Sequence, residues 1–289
     1  MSNSMRNIIV GVRIVLIGII ISGLGSLNGQ KMSGLPTLLG LVIIAFAIQW
    51  AMFIHSWLTT SEKFFDLTGS VTYIILTVLA LIFTQERSVR SYLLAAIVII
   101  WAGRLGSHLF LRIRQTGRDD RFVDILANPA RLFLVWSLQG LWITFTALSA
   151  WIGITTANTA SLGWLSILGV AVWLIGFAIE AIADYQKARF RENPHNNGRF
   201  IQSGLWSRSR HPNYFGEIVM WCAVFIIAIP VLHGWQWIAA LSPIFVSFLL
   251  IKVSGIPMLE KKADSRWGND VQYQHYKQTT PLIIPKINA

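Results

Sequence analysis

Apolar residues run through this chain in blocks of about twenty, separated by short polar and basic clusters. A helix needs roughly 20 such residues to cross the hydrocarbon core of a bilayer. Eight blocks meet that requirement, near 8–27, 36–58, 68–84, 91–111, 132–155, 162–182, 214–232 and 235–254. The third and seventh are short or contain Pro230, and His233-Gly234 alone separates the last two, so seven or nine spans also fit the pattern. The predicted fold is all-α, a polytopic transmembrane helical bundle. No repeat, low-complexity tract or linker divides it, and residues 1–289 read as a single membrane domain. The first block, with Arg6 ahead of it, is expected to be a retained helix and not a cleaved leader.

Charge placement tests the span count, because cytoplasmic loops collect Lys and Arg. Arg112, Arg114, Arg118, Arg121 and Arg131 lie between spans four and five. Lys187, Arg189, Arg191, Arg199, Arg208 and Arg210 lie between six and seven, and Lys252, Lys261, Lys262, Arg266, Lys277 and Lys286 follow span eight. The connections from five to six and from seven to eight carry no charge. This alternation fits both termini in the cytoplasm, although Arg87 and Arg90 fall on the opposite side.

Composition agrees: 54% of the 289 residues are hydrophobic and 13% charged, where a soluble domain carries about 25% charge. The net charge of +11 is explained by topology and by anionic lipid on the cytoplasmic leaflet, so membrane lipids and no nucleic acid are the expected partners. The single cysteine, Cys222, excludes an internal disulfide and a thiolate metal cluster. His195 and His211 stand sixteen apart without a companion ligand pair, so no metal is expected. The glycine run from Gly23 to Gly29 misses the last spacing of the dinucleotide fingerprint and follows a membrane helix, not a strand.

Polar groups inside the spans are few: Gln49, His55, Arg104, His108, Gln139, Glu180, Asp184, Asn213 and Glu217. Each is costly in hydrocarbon, which makes it a functional candidate. Residues four apart share a helix face, so Glu180 pairs with Asp184, Asn213 with Glu217, and Arg104 with His108. The two acidic faces flank a predicted loop, 185–212, with six cationic side chains and one acidic one, Glu192. Arginine offers paired donors to phosphate, and helix starts such as Arg210-His211-Pro212-Asn213 add free N–H groups.

The order of these residues carries a resemblance. Glu180-Ala-Ile-Ala-Asp184 through Arg191, Gly198-Arg199, and Ser203-Gly204-Leu205-Trp206 through Glu217 resemble the carboxy-terminal domain of the steroid 5-alpha-reductase family, and the chain resembles the bacterial membrane proteins called DUF1295 within it. The tail, Tyr276 followed by Thr280-Pro281-Leu282-Ile283-Ile284-Pro285, is similar to the family's closing pattern. The match covers about residues 165–289. It implies a reductase of the bacterial inner membrane whose cofactor is NADPH and whose chemistry is hydride transfer to a conjugated carbon–carbon double bond of an apolar, steroid- or lipid-like carbonyl compound. Position by position, it implies cofactor contacts for Asp184, Arg191, Arg199, Arg210, His211, Asn213, Glu217 and Tyr276. Glu180 stands where the steroid enzymes have Asn, and Gly198 where they have Tyr. Their second-helix Glu, which polarises the substrate carbonyl, has no match here; His55, Asp66 and Tyr73 are the alternative proton-donor candidates.

Two other functions fit parts of the pattern. A membrane methyltransferase resembling the isoprenylcysteine carboxyl enzymes shares the Arg-His-Pro stretch, but S-adenosylmethionine lacks phosphates and does not call for Arg191 and Arg199. A non-enzymatic transporter or lipid-binding protein would place its carboxylates near the bilayer centre, whereas here most sit at helix ends.

Overall fold

The computed structural model describes residues 2–116 and 122–286, of which 110–116 are described by backbone alone. The helices are α1 (Asn3–Gly25), α2 (Thr37–Thr59), α3 (Phe65–Phe83), α4 (Val89–Thr116), α5 (Val123–Leu126), α6 (Pro129–Thr155), α7 (Trp164–Glu192), α8 (Pro212–Ala228), α9 (Leu241–Phe248), α10 (Ile256–Trp267) and α11 (Val271–Thr279). Strands among the described residues are confined to a hairpin, Lys31–Met32 with Leu35–Pro36. Among the described residues eight stretches are long and apolar enough to cross a membrane, and each overlaps one of the eight predicted blocks. The chain is an integral membrane protein. Of the basic cluster between spans four and five, Arg118 and Arg121 lie outside the described residues, as do the side chains of Arg112 and Arg114.

The distribution of side chains is that of a bilayer protein. Ile20, Trp164, Ile167, Ile175 and Ile244 are exposed, whereas Gln49, Thr72, Thr77, Thr144, Ser149 and Ser242 are buried. With lipid outside, apolar groups have no reason to hide, and polar groups must bond one another. Gln49 Nε2 donates to Thr72 Oγ1 at 3.0 Å, Trp151 Nε1 to Thr77 Oγ1 at 3.0 Å, and Ser242 Oγ to the Thr146 carbonyl at 2.6 Å.

The chain forms two compact units, residues 1–166 with 227–242, and 167–226 with 243–289. In the first, α1, α2, α3 and α4 pack around α6, and the Gly234–Ala240 turn closes on α1 and α6. Arg87 and Arg90, which depart from the charge alternation, have local tasks. Arg87 donates to the carbonyls of Thr84 and Ile82 at the end of α3. Arg90, 1% exposed, donates to Ala160 O, Ser161 O and Ser166 Oγ at 2.8, 2.9 and 3.2 Å. Helix ends and loops leave carbonyls without partners, and these two guanidinium groups supply donors.

The second unit is built on α7 and α8, which cross where Gly176 and Gly216 let the backbones meet: a Cβ on Gly216 would stand 2.6 Å from the Gly176 carbonyl. The loop predicted at 185–212 begins only at Asn193, because α7 continues to Glu192. Arg189 and Arg191 lie in its last turn, where cations favour the negative end of the helix dipole and prolong the helix beyond the membrane run. The eighth span breaks at Ser254-Gly255 and resumes as amphipathic α10.

Candidate cofactor site

The chain that leaves α7 turns back to α8 through two left-handed glycines. Gly198, at φ +79°, directs its carbonyl to Trp267 Nε1 at 2.6 Å. Gly204, at φ +62°, lies so close to the Gln186 amide that a Cβ would be 2.5 Å from it, and Leu205 N donates to Gln186 Oε1 at 2.9 Å. A side chain would be strained by its backbone angle at either position.

Trp206 locks this turn to α7. Its indole N–H donates to the Ala183 carbonyl at 3.0 Å, Lys187 Nζ lies 4.3 Å from its ring, and its own carbonyl accepts from Tyr276 Oη at 2.7 Å. The tail holds the next residues: Arg210 N donates to Pro281 O at 2.9 Å and Ser209 Oγ to Ile283 O at 2.7 Å. This explains the closing Thr280 to Pro285 pattern, which pins the segment that carries Arg210 and His211. Pro212 then opens α8, as the sequence predicts.

These elements enclose a cavity of 510 Å³ within the second unit. Lys187, Arg191, Arg199, Arg210, Lys262 and Arg266 line it with, among the described residues, a single carboxylate, Glu260, and the aromatic residues Phe200, Trp267, Tyr273 and Tyr276 form one wall. Six like charges around one space repel each other and create a strong positive potential that a polyanion would neutralise. Arg191 and Arg199 are exposed at the rim. Arg210 is ion-paired with Glu260, whose other oxygen lies 2.8 Å from His211 Nε2. Burial and Asp264 raise the Tyr273 hydroxyl's pKa, and burial raises that of Tyr276, so both phenols stay protonated at neutral pH.

Of the eight residues that the resemblance assigned to the cofactor, Arg191, Arg199, Arg210, His211 and Tyr276 line this cavity. Asn213, two residues past His211, donates Nδ2 to Asp184 Oδ1 at 3.2 Å. That contact fixes the amide's orientation and leaves its Oδ1 shielded and without a partner among the described residues. Glu217 lies one turn further along α8. The three proton-donor candidates sit in the first unit. Tyr73 is buried with its ring edge-on to Trp101, 5.1 Å between centroids. Asp66 lies two turns earlier on α3, about 10 Å away by helix rise. His55 is exposed near the end of α2, 5.9 Å from the Phe64 ring.

Sequence reasoning missed Glu260, Lys187, Lys262, Arg266 and Trp267 as site residues. The signal available was the spacing of Leu259, Ala263 and Trp267 on α10, which places them on one helix face toward the cavity.

The chain is similar to known proteins over part of its length. Over 146 residues the chain is 30% identical to the Delta(14)-sterol reductase of Saccharomyces cerevisiae, covering 46% of this chain and 31% of that protein. It is 26% identical over 119 residues to 3-oxo-5-alpha-steroid 4-dehydrogenase 1 of Rattus norvegicus, covering 41% and 40%. With the Delta(14)-sterol reductase of Methylotuvimicrobium alcaliphilum the identity is 29% over 148 residues, covering 43% and 31%. The chain therefore spans well under half the length of these curated relatives. No solved structure matches it at comparable significance. The family described as protein of unknown function DUF1295 matches residues 52–280, most of the chain, and this protein belongs to that family.

Proposed function

We propose that the protein is an NADPH-dependent membrane reductase of the bacterial inner membrane, acting on the conjugated carbon–carbon double bond of an apolar, steroid- or lipid-like carbonyl compound drawn from the bilayer. The observation that carries this reading is the cavity itself, where six cations face one carboxylate. NADPH brings a pyrophosphate and a 2′-phosphate, the polyanion such a site needs. S-adenosylmethionine has neither. The relatives' names, two of them sterol reductases and one a steroid dehydrogenase, support the same chemistry.

When bound, the cofactor supplies a hydride. The protein's own residues hold, aim and protonate. Arg191, Arg199, Arg210, Lys262 and Arg266 grip the phosphates, with the aromatic wall beside them. Asn213 Oδ1, an acceptor kept in place by Asp184, suits the N–H donors of the nicotinamide carboxamide. Glu217 supports the same end of α8. Reduction adds the hydride to one carbon of the double bond and a proton to the substrate, and Tyr73, Asp66 and His55 are the proposed sources of that proton.

Mass spectrometry of small molecules retained after gentle detergent extraction tests the reading. NADPH or its oxidised form is expected; S-adenosylmethionine would overturn it. In titrations of the purified protein, NADPH is expected to bind at least about tenfold more tightly than NADH, since each charge-assisted contact to the extra phosphate is worth about 1.5–3 kcal/mol. Equal affinities would remove the phosphate argument. Asn213→Asp sets a second carboxylate beside Asp184 and replaces the amide that aims the acceptor. At neutral pH it is expected to weaken NADPH binding about tenfold, measured by the same titration.

A further inference from the structure

Among the described residues Glu260 is the one acidic group beside the six cations of the cavity, and a carboxylate there repels the phosphates the site is proposed to hold. Its contacts indicate a separate task. One oxygen meets Arg210 and the other lies 2.8 Å from His211 Nε2, with Lys277 Nζ at 3.9 Å. It thus joins the segment before α8 to α10 and α11.

His211 is 5% exposed. Burial pushes its imidazole below the usual histidine value; Glu260 opposes that shift, and Lys187 and Arg210 add to it. The ring is therefore neutral at neutral pH. A neutral imidazole that faces a carboxylate carries its proton on the nitrogen between them, so Nε2–H donates to Glu260 and Nδ1 keeps a bare lone pair. Nδ1 has no hydrogen-bond partner among the described residues. Stacking on Tyr214, at 10° between planes and 5.8 Å between centroids, holds the ring in this orientation. A shielded acceptor costs stability until a donor reaches it, and His211 lines the cavity.

We infer that Glu260 is a positioning residue that fixes the tautomer of His211, so that Nδ1 accepts a hydrogen bond from a hydroxyl or amino group of the bound nucleotide. The arginines then select the ligand by charge, and the Glu260–His211 pair selects it by a donor at one place. This inference rests on the cofactor reading above.

The test is the affinity of the purified full-length protein for NADPH, titrated by fluorescence between pH 8 and pH 5. In the wild type, affinity is expected to fall about tenfold as pH drops through the depressed His211 value, because Nδ1 takes a proton and ceases to accept. Glu260→Gln removes the carboxylate that raises the His211 value, so the acid limb is expected to move to lower pH. The amide also permits either tautomer, so binding at neutral pH weakens. The ligand's own phosphate titration is common to both proteins and cancels in the comparison. An affinity lowered by one factor at every pH, with the acid limb unmoved, would show that Glu260 acts through Arg210 alone and would overturn the inference. His211→Gln, which cannot titrate, is expected to lose the histidine limb. It serves as the test if Glu260→Gln does not fold, and persistence of the limb would equally overturn the inference. A wild type that binds no NADPH at any pH would instead defeat the cofactor reading on which the inference stands.

Discussion

Replacing Arg191 and Arg199 together by alanine is expected to lower NADPH affinity by two orders of magnitude or more while leaving thermal unfolding almost unchanged. Both side chains are exposed at the cavity rim. Exposed side chains outside special backbone positions change stability by about 0.5 kcal/mol or less when truncated. A charge-assisted contact to phosphate is worth about 1.5–3 kcal/mol, so two of them lost together amount to roughly 3–6 kcal/mol of binding. Calorimetric titration with NADPH, beside a melting curve in the same detergent, separates the two quantities. If these arginines served only the membrane's charge asymmetry, the double variant would bind NADPH as the wild type does.

Gly216→Val is expected to be among the most damaging single substitutions in the second unit. A Cβ at this position stands 2.6 Å from the Gly176 carbonyl and 2.7 Å from the Glu180 backbone nitrogen. Both are backbone atoms, so relief requires the helices to part. Overpacking of this kind costs about 1–3 kcal/mol, and the branched valine places more atoms at the same point. The change also reaches the site, because Gly216 lies between Asn213 and Glu217 on α8, and separation from α7 breaks the Asn213–Asp184 contact. Lower melting temperature and weaker NADPH binding are therefore expected together. Gly103→Ala is the control: nothing lies within 4 Å of its Cβ position, and alanine favours a helix, so stability is expected to hold or rise. A Gly216→Val protein that melts like the wild type would show that the α7–α8 approach is not tight.

The spans were legible in the sequence because the bilayer imposes a length and a polarity that hydropathy reports directly. What hydropathy does not report is where a helix continues once it leaves the lipid. Residues 185–192 read as loop because they are polar and basic, yet the same basic residues suit the last turn of α7. Arg87 and Arg90 broke the charge rule for a related reason. Their guanidinium groups serve carbonyls of nearby turns, and a count of charges along the chain does not register such contacts.

The candidate site was legible where its residues are neighbours in sequence. Ser203 to Glu217 contains the turn, the helix start and half of the assigned positions, and five of the eight assigned residues meet in one cavity. Glu260 was not legible. It is 49 residues from His211 in sequence, and the flanking Lys261 and Lys262 made its surroundings look like one more positively charged loop. The rest of the aromatic wall around Tyr276, formed by Phe200, Trp267 and Tyr273, was missed for the same reason, since it joins three segments that only the folded chain brings together.

The central claim is that the cationic cavity of the second unit holds the phosphates of a nicotinamide nucleotide. An electron cryo-microscopy structure of the protein with NADPH tests it most directly. Density for the pyrophosphate and 2′-phosphate among Arg191, Arg199 and Arg210, with the nicotinamide directed toward Asn213, is the result expected. Phosphates bound elsewhere on the chain, with that cavity empty at saturating NADPH, would contradict it.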